Sequence, residues 1–262
     1  MPDSLPILTF HSLDDRSSVI SFSPRVFLRG MARLYESGYQ TLSLLEAVDY
    51  LRRDAPFPGR SFVITFDDGY QTVYDEAFPV LQRYGMSATV FLTVGEKGVV
   101  QPGARLPSLE GRSMLAWHEI QEMQRWGIDF GVHTLTHPDL TRLSFDQLET
   151  EVCDSKSIIE DALSVKAVSF AYPYGYYDRR SREIVRQHFA CACSVKLGLI
   201  TARSDLYTLE RVDAYYLRTD RLFDVMLTRL FPWYIRARNI PRRIRRAVQF
   251  RRLGRTCSLA RS

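Results

Sequence analysis

Cysteine is scarce in this chain. Only Cys153, Cys191, Cys193 and Cys257 occur in 262 residues, and their spacing matches neither a zinc ribbon nor a disulfide framework. Cys191 and Cys193 lie two apart in a run that reads as a strand, residues 189–195, so they share one face; buried free thiols in a reducing compartment are the simplest account. No apolar run reaches 18 residues, which excludes a helix spanning a bilayer. The opening Met1-Pro2-Asp3-Ser4-Leu5 has neither the charged nor the apolar region of a secretory leader. If the native chain starts there, it stays in the cytoplasm. Internal repeats and low-complexity tracts are absent too. What remains is a length that α/β barrels commonly reach as one domain.

Charge is unevenly spread. The net charge is +5, yet residues 221–262 hold twelve Arg and one acid, Asp224, for +11, which leaves −6 on residues 1–220. The expected organisation is therefore a catalytic body over residues 1–220 and an Arg-rich tail over residues 221–262. The tail mixes Arg with Phe231, Trp233, Tyr234, Ile235, Ile240, Ile244, Val248 and Phe250. That composition suits an anionic membrane surface, with apolar groups at the acyl boundary and Arg near the headgroups. Docking on the acidic body, a disordered end and nucleic-acid contact are the rivals, the last without any base-reading motif. Pro232 and Pro241 are expected to break the tail into short helical pieces.

From residue 5 to about 195, strand and helix signals alternate. Ser23-Pro24 opens a helix that Gly38 stops, and Ser43-Leu44-Leu45-Glu46 is a capping box for a helix to about Arg53. A strand at 61–66 leads into a helix from Tyr70 to Tyr84, stopped by Gly85. Residues 88–93 form a strand, 95–112 a Gly/Pro-rich loop, 117–126 a helix and 128–132 a strand. Ser144-Phe145-Asp146-Gln147 is another capping box, with a helix to about Leu163; a strand at 167–171 and a helix capped by Asp178 follow. Such alternation argues for parallel strands with right-handed crossovers. The expected architecture is a distorted or incomplete (β/α) barrel of about seven parallel strands, with a doubly wound sheet as the alternative that pattern alone leaves open.

Two strand ends carry chemistry. The run Ser61-Phe62-Val63-Ile64-Thr65-Phe66 ends in Asp67-Asp68-Gly69, and residues 128–132 end in His133-Thr134-Leu135-Thr136-His137. Asp-Asp-Gly alone is also an ordinary turn, since Asp bonds its own backbone and Gly accepts positive φ. Paired histidines alone are also capping or surface groups. Together, at strand ends that face one side of a parallel barrel, they supply the two His and one carboxylate of many hydrolytic Zn²⁺ sites. Such sites leave a position open for water, and the second carboxylate is free to act as a base.

These motifs resemble those of the polysaccharide deacetylases, the NodB-homology domain of carbohydrate esterase family four. Thr65-Phe66-Asp67-Asp68-Gly69 is similar to the family's first motif and His133-Thr134-Leu135-Thr136-His137 to its second. Phe170-Ala171-Tyr172-Pro173-Tyr174-Gly175 resembles the third, usually Arg-x-Pro-Tyr-Gly. The resemblance covers roughly residues 5–215. Two departures stand out: Ala171 replaces the usual Arg, and no His follows His188 to serve as the family's C-terminal His. A circularly permuted subgroup that deacetylates poly-β-1,6-N-acetylglucosamine carries that His on an N-terminal strand, as Pro6-Ile7-Leu8-Thr9-Phe10-His11 does here.

The resemblance implies a metal-dependent hydrolase acting on an N-acetylated amino sugar in a glycan or lipid-linked glycan. Asp68, His133 and His137 are then the ligands of a divalent metal, with Zn²⁺ expected. Asp67 is the base, His11 the acid that protonates the departing amine, and the Tyr174 N–H a donor to the oxyanion. Tyr172, Pro173 and Tyr176 line the substrate site, and Tyr177 is a further ring beside it. Arg211 is the candidate to orient Asp67 in place of the missing Arg, with a surface salt bridge as the alternative. His118 and His188 fall on helices and read as structural. A deformylase, an O-acetyl esterase or an imide hydrolase could use the same metal site, and a catalytically silent carbohydrate-binding protein is the reading from another class.

Overall fold

The computed structural model describes residues 4–95 and 103–240. Part of the 95–112 loop, Cys257 and the tail beyond residue 240 lie outside the described residues.

Seven parallel strands form the barrel: β1 (Ile7–Phe10), β2 (Ser61–Phe66), β3 (Thr89–Leu92), β4 (Asp129–Val132), β5 (Ser169–Ala171), β6 (Cys191–Leu197) and β7 (Leu209–Asp213). Each strand pairs with the next in sequence, and β1 pairs with both β2 and β7, which closes the ring. The expected barrel is present, and it is closed. A two-residue strand, Gln40–Thr41, lies against the first two residues of β2, and Ser12–Leu13 pairs with Ser21–Phe22 just after β1.

β1 to β3 are buried throughout, because helices cover the outside of the barrel and side chains fill its inside. The two-residue period sorts the side chains. Leu8, Phe10, Ile64 and Phe66 join the cluster under the helices, whereas Ile7, Val63, Phe91, Ala171, Cys191, Cys193 and Leu209 join a separate inner cluster. Cys191 and Cys193 thus share a face as expected and are free thiols. Burial pushes the Cys193 thiol up to about 12. Above the apolar inner layer lie Thr9 and Thr65, whose hydroxyls are 2.8 Å apart.

Helix boundaries follow the sequence signals closely. The Ser43 capping box forms with both bonds, Glu46 N to Ser43 Oγ at 3.1 Å and Ser43 N to Glu46 Oε2 at 2.7 Å. Gly85 ends the helix Phe78–Tyr84 with φ of +61°. Two long helices are not uniform: Val73–Ala77 and Thr150–Asp154 are π-helical, a local widening often found at functional sites.

Of the Arg-rich segment, residues 221–240 pack onto the barrel domain. Phe223, Met226, Phe231 and Ile235 are buried in the main core. Tyr39 Oη donates to Met226 O at 3.0 Å, Tyr234 Oη to Tyr216 O at 2.6 Å, and Asn239 Nδ2 to Leu197 O at 2.8 Å. Residues 231–240 are helical. The break expected near Pro232 is present: helical turns end at Leu227, residues 228–230 form a turn, and a new helix starts at 231, with Pro232 in its first turn, where its missing N–H has no partner to lose.

Candidate active site

Register brings the site residues together. Phe10 pairs with Phe66 and Val132 with both Leu92 and Phe170, so the residues just past these strand ends meet at one end of the barrel. Asp67 N donates to Phe10 O at 2.9 Å, which fixes the first carboxylate beside the His11 turn.

Asp68, His133 and His137 converge. Asp68 Oδ1 is 3.4 Å from the Nε2 atoms of both His133 and His137, and one ligand atom from each lies within 4.8 Å of the others. Asp68 Oδ1 is buried and has no hydrogen-bond partner. His133 Nδ1 donates to Ala171 O at 2.7 Å. That bond orients the ring with Nε2 toward Asp68. A buried carboxylate oxygen without a partner, faced by two imidazole nitrogens, is a donor set that fits a divalent cation. No described residue besides these three joins the cluster; His118 and His188 are not part of it.

The electrostatics favour positive charge here. Burial opposes ionisation of Asp68, but His133, His11 and His137 hold its carboxyl well below the usual carboxylate range. Burial would likewise depress His133, yet Asp68 and Asp67 raise it. Burial and the neighbouring His133 push His137 down to about 4, so its ring is neutral near neutral pH. Asp68 and Asp67 thus favour a positive charge at His133.

Asp67 is occupied differently. Arg211 Nη1 and Nη2 donate to its Oδ1 and Oδ2, each at 2.7 Å. Arg211 Nε donates to Ser194 O at 3.0 Å, and Nη1 also reaches Thr65 Oγ1 at 3.3 Å. Both residues are buried, at 2% exposure each. Burial opposes ionisation of Asp67, but the Arg211 guanidinium outweighs it and holds the carboxyl below its ordinary range. Ala171 is buried in the inner apolar cluster, and the cation expected from its position comes from β7 instead. His11 also approaches Asp67, with Nε2 3.9 Å from Oδ2, and its side chain is 22% exposed.

The third motif forms a tight turn over Pro173–Gly175, with Tyr174 at φ of +56° and Gly175 at +67°. A side chain at Gly175 would meet Val195 Cγ2 at 2.2 Å, so both conformation and space require glycine there. The Tyr174 ring lies edge-on to His137, with centroids 4.5 Å apart, and 6.0 Å from the Tyr176 ring. Tyr174 and Tyr176 are each 56% exposed and Tyr177 is also exposed. Tyr172 and Pro173, expected to line the substrate site, are buried. Tyr172 packs on Phe170 and Tyr177, and its hydroxyl has no partner. Its backbone still bonds the sheet, Tyr172 N to Cys193 O at 3.2 Å, and this parity turns the ring outward beneath the helices.

Backbone strain concentrates here. Asp68, Thr134, His137 and Tyr174 all have φ between +56° and +74°, a region costly for residues other than glycine and typical of functional sites. Sequence reasoning missed Glu151, which accepts hydrogen bonds from the loop between the two histidines. Its surroundings read only as the middle of a capped helix.

Residues 54–190 match the family model described as polysaccharide deacetylase. YxkH of Bacillus subtilis (strain 168), described as a polysaccharide deacetylase, is 30% identical over 212 residues, covering 80% of this chain and 71% of that protein. The poly-β-1,6-N-acetyl-D-glucosamine N-deacetylase of Staphylococcus aureus (strain MRSA252) is 25% identical over 69% of this chain; the match spans 62% of that relative, less than two thirds of its length. Among solved structures, the Streptococcus pyogenes deacetylase PplD in complex with acetate superposes with a TM-score of 0.72 at 26% identity, covering 81% of this chain and 93% of that one. IcaB from Ammonifex degensii gives 0.69 at 26%, covering 85% and 97%.

Proposed function

The chain belongs to the polysaccharide deacetylase family, and from that premise we propose that it is a metal-dependent hydrolase removing an acetyl group from an N-acetylated amino sugar within a glycan. One observation carries the reading: Asp68, His133 and His137 converge on one point, while the adjacent carboxylate, Asp67, is held apart by Arg211. A binding protein needs the first arrangement but has no use for the second.

In this reading Asp68, His133 and His137 hold a divalent cation, with Zn²⁺ the expected ion. When bound, such a cation polarises the acetyl carbonyl and lowers the pKa of a water to about 7. Asp67 accepts the proton from the attacking water, and Arg211 keeps both carboxylate oxygens in a fixed plane while it does so. His11, partly open to solvent beside Asp67, gives a proton to the departing amine nitrogen as the C–N bond breaks. The Tyr174 N–H donates to the developing oxyanion. Exposed rings of Tyr174, Tyr176 and Tyr177 offer faces for sugar stacking. The Staphylococcus aureus relative supports N-acetylglucosamine as the sugar.

The reading extends to a peripheral contact. No described helix is long and apolar enough to cross a membrane. Leu230, Trp233 and Ile240 are exposed beside Arg229, Arg236 and Arg238, and residues 241–262 add eight Arg without an acid. That combination supports attachment to an anionic leaflet. On the cytoplasmic side, a lipid-linked glycan would lie within reach.

The test is metal analysis of the purified protein together with acetate release from N-acetylglucosamine oligomers and lipid-linked precursors. Tightly bound metal and stoichiometric acetate and free amine are expected. Formate as the product, or turnover unaffected by chelation, would sink the proposal.

A further inference from the structure

We infer that Glu151 is a positioning residue for the metal-ligand loop, holding His137 where it can share a cation with Asp68 and His133; the inference rests on the metal-site reading above. The loop between the histidines is not a conformation the chain adopts freely. Thr134 and His137 have φ of +72° and +59°, and such residues keep that geometry only when their surroundings over-determine it.

Glu151 supplies much of that determination. Its Oε2 accepts from Leu135 N at 2.9 Å and Thr136 N at 3.0 Å, and its Oε1 accepts from Thr136 Oγ1 at 2.6 Å. Within the loop, His137 N donates to Thr134 Oγ1 at 3.0 Å. Three successive amides, Leu135 to His137, therefore each have a side-chain acceptor. From the opposite side, Gly95 N donates to Leu135 O at 2.7 Å, tying the loop to the chain after β3. Among the described residues no Lys or Arg forms an ion pair with Glu151, so its two oxygens serve this loop.

The helix that carries Glu151 is modified at that point. Phe145–Glu149 and Ser155–Leu163 are α-helical, and Thr150–Asp154 between them is a π turn. The wider turn changes the direction in which residue 151 projects relative to an unbroken α-helix. Ser155, fully buried, donates its hydroxyl to Glu151 O at 2.6 Å and to Val152 O at 3.1 Å. The side chain thus satisfies carbonyls inside the irregular turn and fixes the Glu151 backbone.

The experiment measures Zn²⁺ affinity of the full chain by chelator competition and the melting temperature of the metal-free form. Glu151→Ala is expected to weaken Zn²⁺ binding about 10- to 100-fold, the usual effect of losing an outer support of a metal ligand, with the metal-free melt little changed. Glu151→Gln should restore near-normal affinity: its carbonyl oxygen can accept from both amides, and its NH₂ can donate to the Thr136 hydroxyl. Thr136→Val should give a smaller loss in the same direction. Unchanged affinity in Glu151→Ala overturns the inference, and if that variant does not fold, unchanged affinity in Thr136→Val does so. His137→Ala is the control. Loss of Zn²⁺ there alone rejects only the role of Glu151, whereas failure of the unmodified protein to bind Zn²⁺ rejects the metal-site reading with it.

Discussion

Arg211 and Asp67 face each other in one plane, joined by two parallel 2.7 Å bonds inside the barrel. Removing the guanidinium strands a buried carboxylate, and breaking a buried pair this way costs about 3–5 kcal/mol. Arg211→Met should therefore lower the unfolding midpoint and also reduce kcat, since Asp67 loses both its plane and its charge partner. Arg211→Lys should recover little, because an ammonium cannot make the paired contact. Wild-type kcat in Arg211→Lys would show that orientation of Asp67 is unimportant.

The two adjacent carboxylates should separate under mutation. Asp68→Ala, His133→Ala and His137→Ala are each expected to lose metal and activity together. Asp67→Asn should retain metal and lose orders of magnitude in kcat, because only the proton acceptor is removed. Metal loss in Asp67→Asn would make that residue a ligand instead.

Replacing His11 tests the acid. His11→Ala should slow amide substrates strongly but barely affect an aryl acetate, whose phenolate leaves without protonation. An equal loss on both substrates would point to a general disturbance of the site.

Near the mouth, Asp14 pairs with Arg112, and its carboxyl is held below the usual range by Ser12, Ser21, the Arg16 N–H and Arg112 against the opposing effect of burial. A depressed folded value means that its contribution is present above the unfolded value of about 3.9 and is lost as pH falls through the folded one. Asp14→Asn should therefore lower the urea midpoint at pH 7 and leave it nearly unchanged in acid below both values. An equal shift at both pH values would contradict the linkage.

Two truncations divide the Arg-rich segment. Ending the chain after residue 240 should leave a folded protein that still cleaves a water-soluble substrate. Ending it after residue 220 removes Phe223, Met226, Phe231 and Ile235 from the core. Each such burial contributes about 1.5–3 kcal/mol, and four together rival a total stability of about 5–15 kcal/mol, so this form should not fold. If the segment binds membrane, the longer truncate should sediment less with anionic liposomes than the full chain. Equal sedimentation would move the contact to the folded part.

Much of this was readable in the chain. Strand ends, capping boxes and glycine stops set the element order, and the two metal motifs lie where parallel strands must deliver them. The inward placement of Arg211 was also available in principle: Leu209 and Arg211 share parity in β7, so an inward Leu209 implies an inward Arg211. Without knowing that β7 closes on β1, that parity had no reference, and a surface ion pair fitted equally well; Glu210 makes that one, with Lys196. The burial of Tyr172 was not legible because contiguity with Pro173 and Tyr174 obscured its continued place in the sheet. The π turn that presents Glu151 has no pattern in side-chain chemistry, since it differs from α-helix only in backbone bonding.

The closure of β1 between β2 and β7 also sets an order of events. A chain emerging from the ribosome can pair β1 with β2 early, but β1's other edge must wait for β7, roughly two hundred residues later. Asp67 and its guanidinium partner are 144 residues apart, a separation whose closure is entropically slow. Until then the barrel is an open sheet with an unpaired edge and an uncompensated acid in its interior. The charge pair at its centre cannot form before β7 has been made, and a chain interrupted before β7 lacks that pair altogether.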